Sequence, residues 1–253
     1  MTSVELSERQ APTSKIVRPQ IGLTKIGIYS GRTHLFDAAY PLFGPKNAKS
    51  LRDAIRAHPD KLREPNGPES ATFLALAYNP EDPNYQGEEL SGTRQKTSST
   101  YLRVFEGHLY DGTAQKLFVA EPDFNEDGTI KMPAVSELER RLINGDKSVR
   151  VVEFKGLREG KHTPTRIEDS KYIKAVYGEE GAYNLARVAD NHSQRVGRFW
   201  LPELPSAGQT EIKIAALNSV GGKLSVDGNG DELYRESYAF GVFKDSGEAT
   251  RVA

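Results

Sequence analysis

Between Ser148 and Trp200 the chain carries ten basic residues (Arg150, Lys155, Arg158, Lys161, Arg166, Lys171, Lys174, Arg187, Arg195 and Arg198) against seven acidic ones. Lys155, Arg158 and Lys161 follow one another at three-residue steps in a loop, and Arg195 and Arg198 stand three apart at the expected end of a helix. Cations so spaced can meet the phosphates of a nucleic-acid backbone on one surface, contacts that position the polymer without reading its sequence. Tyr172, Tyr177, Phe199 and Trp200 lie close by in the sequence and offer ring faces on which unpaired bases stack. The competing reading is a solvated helix face that ends in a core tryptophan. A second basic pair, Arg94 and Lys96, closes a segment whose first half is acidic (Glu81, Asp82, Glu88, Glu89).

Other chemistry is harder to assign. The sequence has no GxSxG, HExxH, GxxxxGK[ST] or GxGxxG, and Gly221-Gly222-Lys223 leads into a strand pattern where a phosphate loop needs a helix. The five histidines, His34, His58, His108, His162 and His192, occupy different segments with no i, i+4 pair. Without cysteine there is no disulfide framework, thiol nucleophile, Cys-based zinc site or iron–sulfur cluster. Asp123-Phe-Asn125-Glu-Asp127-Gly128-Thr-Ile130 places oxygen ligands at positions 1, 3 and 5 and glycine at 6 of a calcium loop, but position 12 is Ala134, where a bidentate Glu is required. A plain turn accounts for the same residues, since Asp, Asn and Gly accept left-handed backbone and bond to it. Whether this turn binds calcium stays open. Asp227-Gly-Asn229-Gly-Asp231-Glu232 reads as a long hairpin loop. The expectation is a non-enzymatic protein with no metal site and no cofactor.

The elements that must hold these residues point to an α+β class with a mainly antiparallel sheet. Residues 1–14 read as a flexible polar arm and 15–253 as one domain with a long irregular insertion at 79–99. Alternation predicts strands between Ile16 and Ile28, from Thr100 to Tyr110 and from Gln115 to Ala120, the last two joined at Asp111-Gly112. Continuous apolar character makes Ala71–Tyr78 a buried central strand, after a loop over Lys61–Ser70. Ser148–Phe154, Glu211–Leu217, Lys223–Val226 and Tyr234–Phe243 are further strands. Helices are predicted over Asn47–His58, Val135–Ile143 and, past a basic loop at Gly156–Arg166, from Asp169 to about Arg195 with a break at Gly178–Gly181. The 253 residues sum to 34 basic and 35 acidic side chains, a net charge of −1 that gives no global field toward nucleic acid or an anionic membrane. No apolar run approaches a membrane span, and the acidic N-terminus is unlike a signal or transit peptide, so a cytoplasmic protein is expected.

In the C-terminal third, Leu185-Ala-Arg187 in a helix, Arg198-Phe199-Trp200, a strand at Glu211-Ile-Lys213-Ile214 and the strand-like Tyr234–Phe243 resemble the order of elements in the backbone subunit of type I-F CRISPR effector complexes, of the RAMP superfamily. Those proteins carry a Leu-Ala-Arg helix running into an Arg-Phe-x-Trp segment, one residue longer than here. The resemblance implies an RRM-like palm, a protruding thumb for which 79–99 has the length, and a filament of subunits that coats guide RNA in an antiviral ribonucleoprotein. It would place Arg187, Arg195, Arg198 and Trp200 toward the RNA, to which the basic pattern adds Arg94, Lys96, Lys155, Arg158 and Lys161. The alternative is a viral or phage capsid, tail or sheath component without enzymatic activity.

Overall fold

The computed structural model describes residues 10–17, 23–230 and 236–244. Strands β1 (Pro12–Val17), β2 (Thr24–Ser30) and β3 (Thr33–Tyr40) form an antiparallel meander, followed by β4 (Phe43–Lys46). The expected polar arm therefore ends earlier than its composition suggests. Residues 1–9 lie outside the described part, and Pro12–Ser14 already belong to β1 because Asp82 accepts hydrogen bonds from the Ser14 amide (2.6 Å) and hydroxyl (2.8 Å). Helix α1 (Ala48–Arg56) begins where Asn47 caps the Ser50 amide, and β5 (Leu62–Arg63) follows.

Ala71–Tyr78 is a helix, not the central strand that its apolar run predicts. Helix α2 (Gly67–Ala77) starts upstream at a reciprocal capping box, in which the Asn66 side chain accepts from the Glu69 amide and the Glu69 carboxylate accepts from the Asn66 amide, each at 2.9 Å. A helix apolar on every side must be covered on every side, and nearly all of α2 is buried. The segment 79–99 is likewise not an irregular insertion. Residues 79–87 are a turn laid on β1, where the Asn79 side-chain amide donates to the Pro12 carbonyl at 3.1 Å, and Glu88–Ser99 form α3. Its hydroxyl-rich composition hides it, because Thr93 and Thr97 satisfy their hydroxyls on the carbonyls one turn back.

Strands β6 (Tyr101–Asp111) and β7 (Lys116–Ala120) form the predicted hairpin. The Asp123 segment is a small hairpin of β8 (Asp123–Phe124) and β9 (Ile130–Lys131), and helix α4 (Val135–Ile143) stops before Gly145, whose φ is 76°. After β10 (Arg150–Glu153) comes a 3-10 turn, Phe154–Gly156. The expected basic loop contains strand β11 (Gly160–His162) and the short helix α5 (Pro164–Glu168). Helix α6 (Lys171–Asn191) breaks at Gly178 (φ 73°, ψ 173°), as its sequence predicts. Strands β12 (Gly197–Trp200), β13 (Thr210–Asn218) and β14 (Leu224–Gly230) follow. Asp227–Gly230 lie in β14 instead of a hairpin loop, while Asp231–Arg235 fall outside the described residues. Tyr234–Phe243 is not one strand: β15 (Ser237–Ala239) and β16 (Val242–Phe243) join different sheets.

The class is thus α+β. The smaller sheet has the order β1-β2-β3-β16-β5, and the larger runs β10-β7-β6-β13-β14-β12-β11, with β15 beside β6 and β4 beside β15. Most pairs are antiparallel; β12 with β14 and β15 with β6 are parallel. β6 is buried on both faces. Leu102, Val104 and Tyr110 meet the core under α2 and α6, while Leu109 faces Phe118, Leu138 and Ile214. The larger sheet must curl. A flat sheet would hold its edge strands β10 and β11 about 29 Å apart, yet the link from Glu153 to Gly160 reaches at most about 25 Å fully extended. Among the described residues no helix is long and apolar enough to cross a membrane.

Candidate nucleic-acid interface

The short link that curls the sheet also carries the basic residues. Lys155 sits in the 3-10 turn, exposed, with its ammonium 2.6 Å from Glu153, which raises the lysine pKa and lowers that of the carboxylate. Lys155 shares a shallow cleft with Arg150, Lys171 and Lys174. Arg158 is exposed on the loop, and its backbone carbonyl meets His162 Nε2 at 3.0 Å. Strand alternation does the rest. His162 and Phe199 turn inward and stack with ring centroids 4.1 Å apart, so Lys161, Arg198 and Trp200 turn outward. Lys161 pairs in register with Arg198, and the Arg198 guanidinium lies 3.6 Å from the Trp200 ring centroid. Trp200 keeps 38% of its surface exposed, so it is not a core tryptophan.

Lys155, Arg158, Lys161, Arg198 and Trp200 therefore lie on one continuous piece of structure, the 3-10 turn, its loop and the β11–β12 edge. The other four predicted residues are held elsewhere. Arg94 donates to the carbonyls of Ala77 and Tyr85, both at 2.7 Å, and stacks on the Tyr85 ring at 3.8 Å, so it ties α3 to the end of α2. Lys96 lies over Tyr40 and Tyr238, at 5.4 and 5.2 Å from the ring centroids, and burial lowers its pKa. Arg187 donates to the Tyr183 hydroxyl at 3.3 Å and lines a different cleft with Gln10, Arg32 and Glu81. Arg195 has left-handed backbone (φ 47°) and is ion-paired with Asp190.

At the Asp123–Ile130 motif the structure supplies a turn. Asp127 accepts from the Thr129 amide and hydroxyl, and Asp123 accepts from Arg52 at 2.8 Å. Among the described residues no group of three or more His, Asp or Glu side chains is arranged to hold a metal ion. Sequence reasoning missed an ion pair between β6 and β10, buried Glu106 with partly exposed Arg150. Its signal was present: Glu106 falls between Val104 and His108 on the side of the strand that faces the core.

No family model matches the sequence, and no curated protein matches it. Among solved structures, one described as "Accommodation of massive sequence variation in Nanoarchaeota by the C-type lectin fold" is similar at a TM-score of 0.54 and 15% identity, covering 78% of this chain and 93% of that one. The likeness is one of fold. At this identity a C-type lectin-like fold carries no activity or ligand with it.

Proposed function

We propose that this lectin-like chain is a non-enzymatic RNA-binding protein that holds the sugar-phosphate backbone along Lys155, Arg158, Lys161 and Arg198 and stacks a base near Trp200. The observation that carries this reading is the β11–β12 edge, where a partly exposed indole lies under a guanidinium and beside a lysine. Such a pairing supplies phosphate neutralisation and a π-face within one nucleotide step. A fold described as accommodating massive sequence variation suits a scaffold whose surface side chains are set by their ligand. On the resemblance of the C-terminal third, the RRM-like palm would be β6, β13 and β14 under α2 and α6. Copies would then assemble along guide RNA in a cytoplasmic antiviral ribonucleoprotein, each adding a few phosphate contacts.

Because the chain has a single tryptophan, fluorescence excited selectively at tryptophan reports on this edge alone. Titration with single-stranded poly(U) should quench it, and Lys161→Glu with Arg198→Glu should weaken binding by about ten-fold or more, the loss of two phosphate contacts. Unchanged fluorescence at saturating RNA, or unchanged affinity in the double variant, refutes the interface.

A further inference from the structure

A further cleft, of about 720 Å³, opens between β5, the start of α2 and the segment leading into β10. That volume is within the range of small-molecule sites. Its walls carry five cations, Arg56, Arg63, Lys147, Arg150 and Lys244, against three carboxylates, Glu64, Glu106 and Glu121. Pro68 supplies apolar surface between them, backed by the covered side chains of Leu62, Pro65 and Phe105.

The charges are not equivalent. Arg63 is held by Glu69 in a bidentate pair, at 2.6 and 2.8 Å, and Arg56 by Glu64 at 2.6 Å. Glu106 is buried at the base, where it accepts from the Gly67 amide at 3.0 Å and from Arg150 at 2.5 Å. Glu106 and the Arg150 guanidinium offset each other's charge, and Glu121, exposed on the rim, is met by Arg56 at 3.5 Å. The Arg150 Nε is buried without an acceptor. Among the described residues Lys147 and Lys244 have no ion-pair partner, and both are exposed. A buried ion pair is a poor source of stability compared with apolar packing of the same volume. Its position here gives it another use: Glu106 fixes a guanidinium at the base of a cleft rimmed by two uncommitted ammonium groups.

We propose that this cleft binds a small organic anion that carries two or more negative charges, polycarboxylate or sugar phosphate. Its negative charge is met by Lys147, Lys244 and Arg150, and its carbon skeleton rests against Pro68. The site shares Arg150 with the cleft beside Lys155, but Lys147 and Lys244 lie outside the proposed RNA edge, so variants at these two lysines test it separately.

The test is isothermal titration at fixed ionic strength with citrate, with glucose 6-phosphate and with acetate. The first two distinguish carboxylate from phosphate, and acetate is the single-charge control. At least one of the first two should saturate at one site with Kd below about 1 mM while acetate does not. Lys147→Glu with Lys244→Glu should weaken that binding more than about ten-fold, whereas Lys46→Glu with Lys223→Glu, the same change in net charge elsewhere, should leave it within about two-fold. Circular dichroism checks that each variant folds, and Lys147→Gln with Lys244→Gln replaces the first pair if it does not. Saturation by none of the probes, or equal weakening by both charge-reversed pairs, overturns the proposal.

Discussion

Glu106 and His108 are two polar side chains that the alternation of β6 points into the core, and burial disfavours the charged form of each. For Glu106 desolvation outweighs the opposing pull of Arg150 and the Gly67 amide and raises the pKa; for His108 it lowers the pKa to about 4. Arg150→Ala removes the partner of a buried carboxylate and should destabilise the fold by about 3–5 kcal/mol, whereas Glu106→Leu with Arg150→Met should cost much less, read by urea unfolding. The histidine gives a signed pH dependence. Its folded pKa lies below the ordinary value of 6.5, so the unfolded chain binds the proton first, and stability present above pH 6.5 is lost as pH falls toward 4. The loss attributable to His108 is about 3 kcal/mol. His192, also lowered to about 4, acts in the same direction, while raised Glu106 opposes both, its contribution being present at low pH and lost as pH rises through its folded value. His108→Phe should therefore flatten the decline between pH 6.5 and 4, and an unchanged slope in that variant would contradict the assignment.

Helix α2 shows what an element-level reading captures and misses. Its apolar run fits a buried strand and a buried helix equally, and periodicity cannot separate them. The deciding residues lie outside the run, at Asn66 and Glu69, whose capping box starts the helix at Gly67, ahead of the expected start of the strand at Ala71. Asn66→Ala should cost about 1 kcal/mol by thermal or urea unfolding, the usual value of a side-chain N-cap. Elements with local punctuation were legible: α1 after Asn47, the β6–β7 hairpin at Asp111-Gly112, and the α6 break at Gly178. At Gly178 the backbone is left-handed and an added Cβ would stand 3.4 Å from Pro68, an ordinary contact. With ψ at 173° this is backbone that essentially only glycine adopts, so Gly178→Ala should cost about 1–3 kcal/mol from strain alone. Elements fixed by distant partners were not legible. The turn at 79–87 is ordered by β1, nearly 70 residues earlier in the chain (|i−j| of 67 and 68), and the Glu106–Arg150 pair joins residues 44 apart.

At the scale of the whole molecule, a net charge of −1 would seem to argue against a polyanionic partner, but the fold sorts the charge into committed and displayed cations. Arg94 is spent on two carbonyls, Arg195 on Asp190, and Arg56 and Arg63 on glutamates, whereas Arg158, Lys161 and Arg198 have no acidic partner among the described residues and Lys155 has one exposed glutamate. Binding to RNA should therefore scale with the displayed set, not with the total. The three cations without an acidic partner release counterions from a single strand with a slope of log K against log salt of about −2 per copy. Arg158→Ala should reduce that slope by about 0.7. Arg195→Ala, although the residue is as basic and only three positions from Arg198, should leave both slope and affinity unchanged, because its guanidinium is already neutralised by Asp190. Anisotropy titrations of labelled poly(U) over a range of salt concentrations separate the two outcomes. Equal loss of slope in Arg158→Ala and Arg195→Ala would show that the polymer responds to overall charge and does not follow the β11–β12 edge.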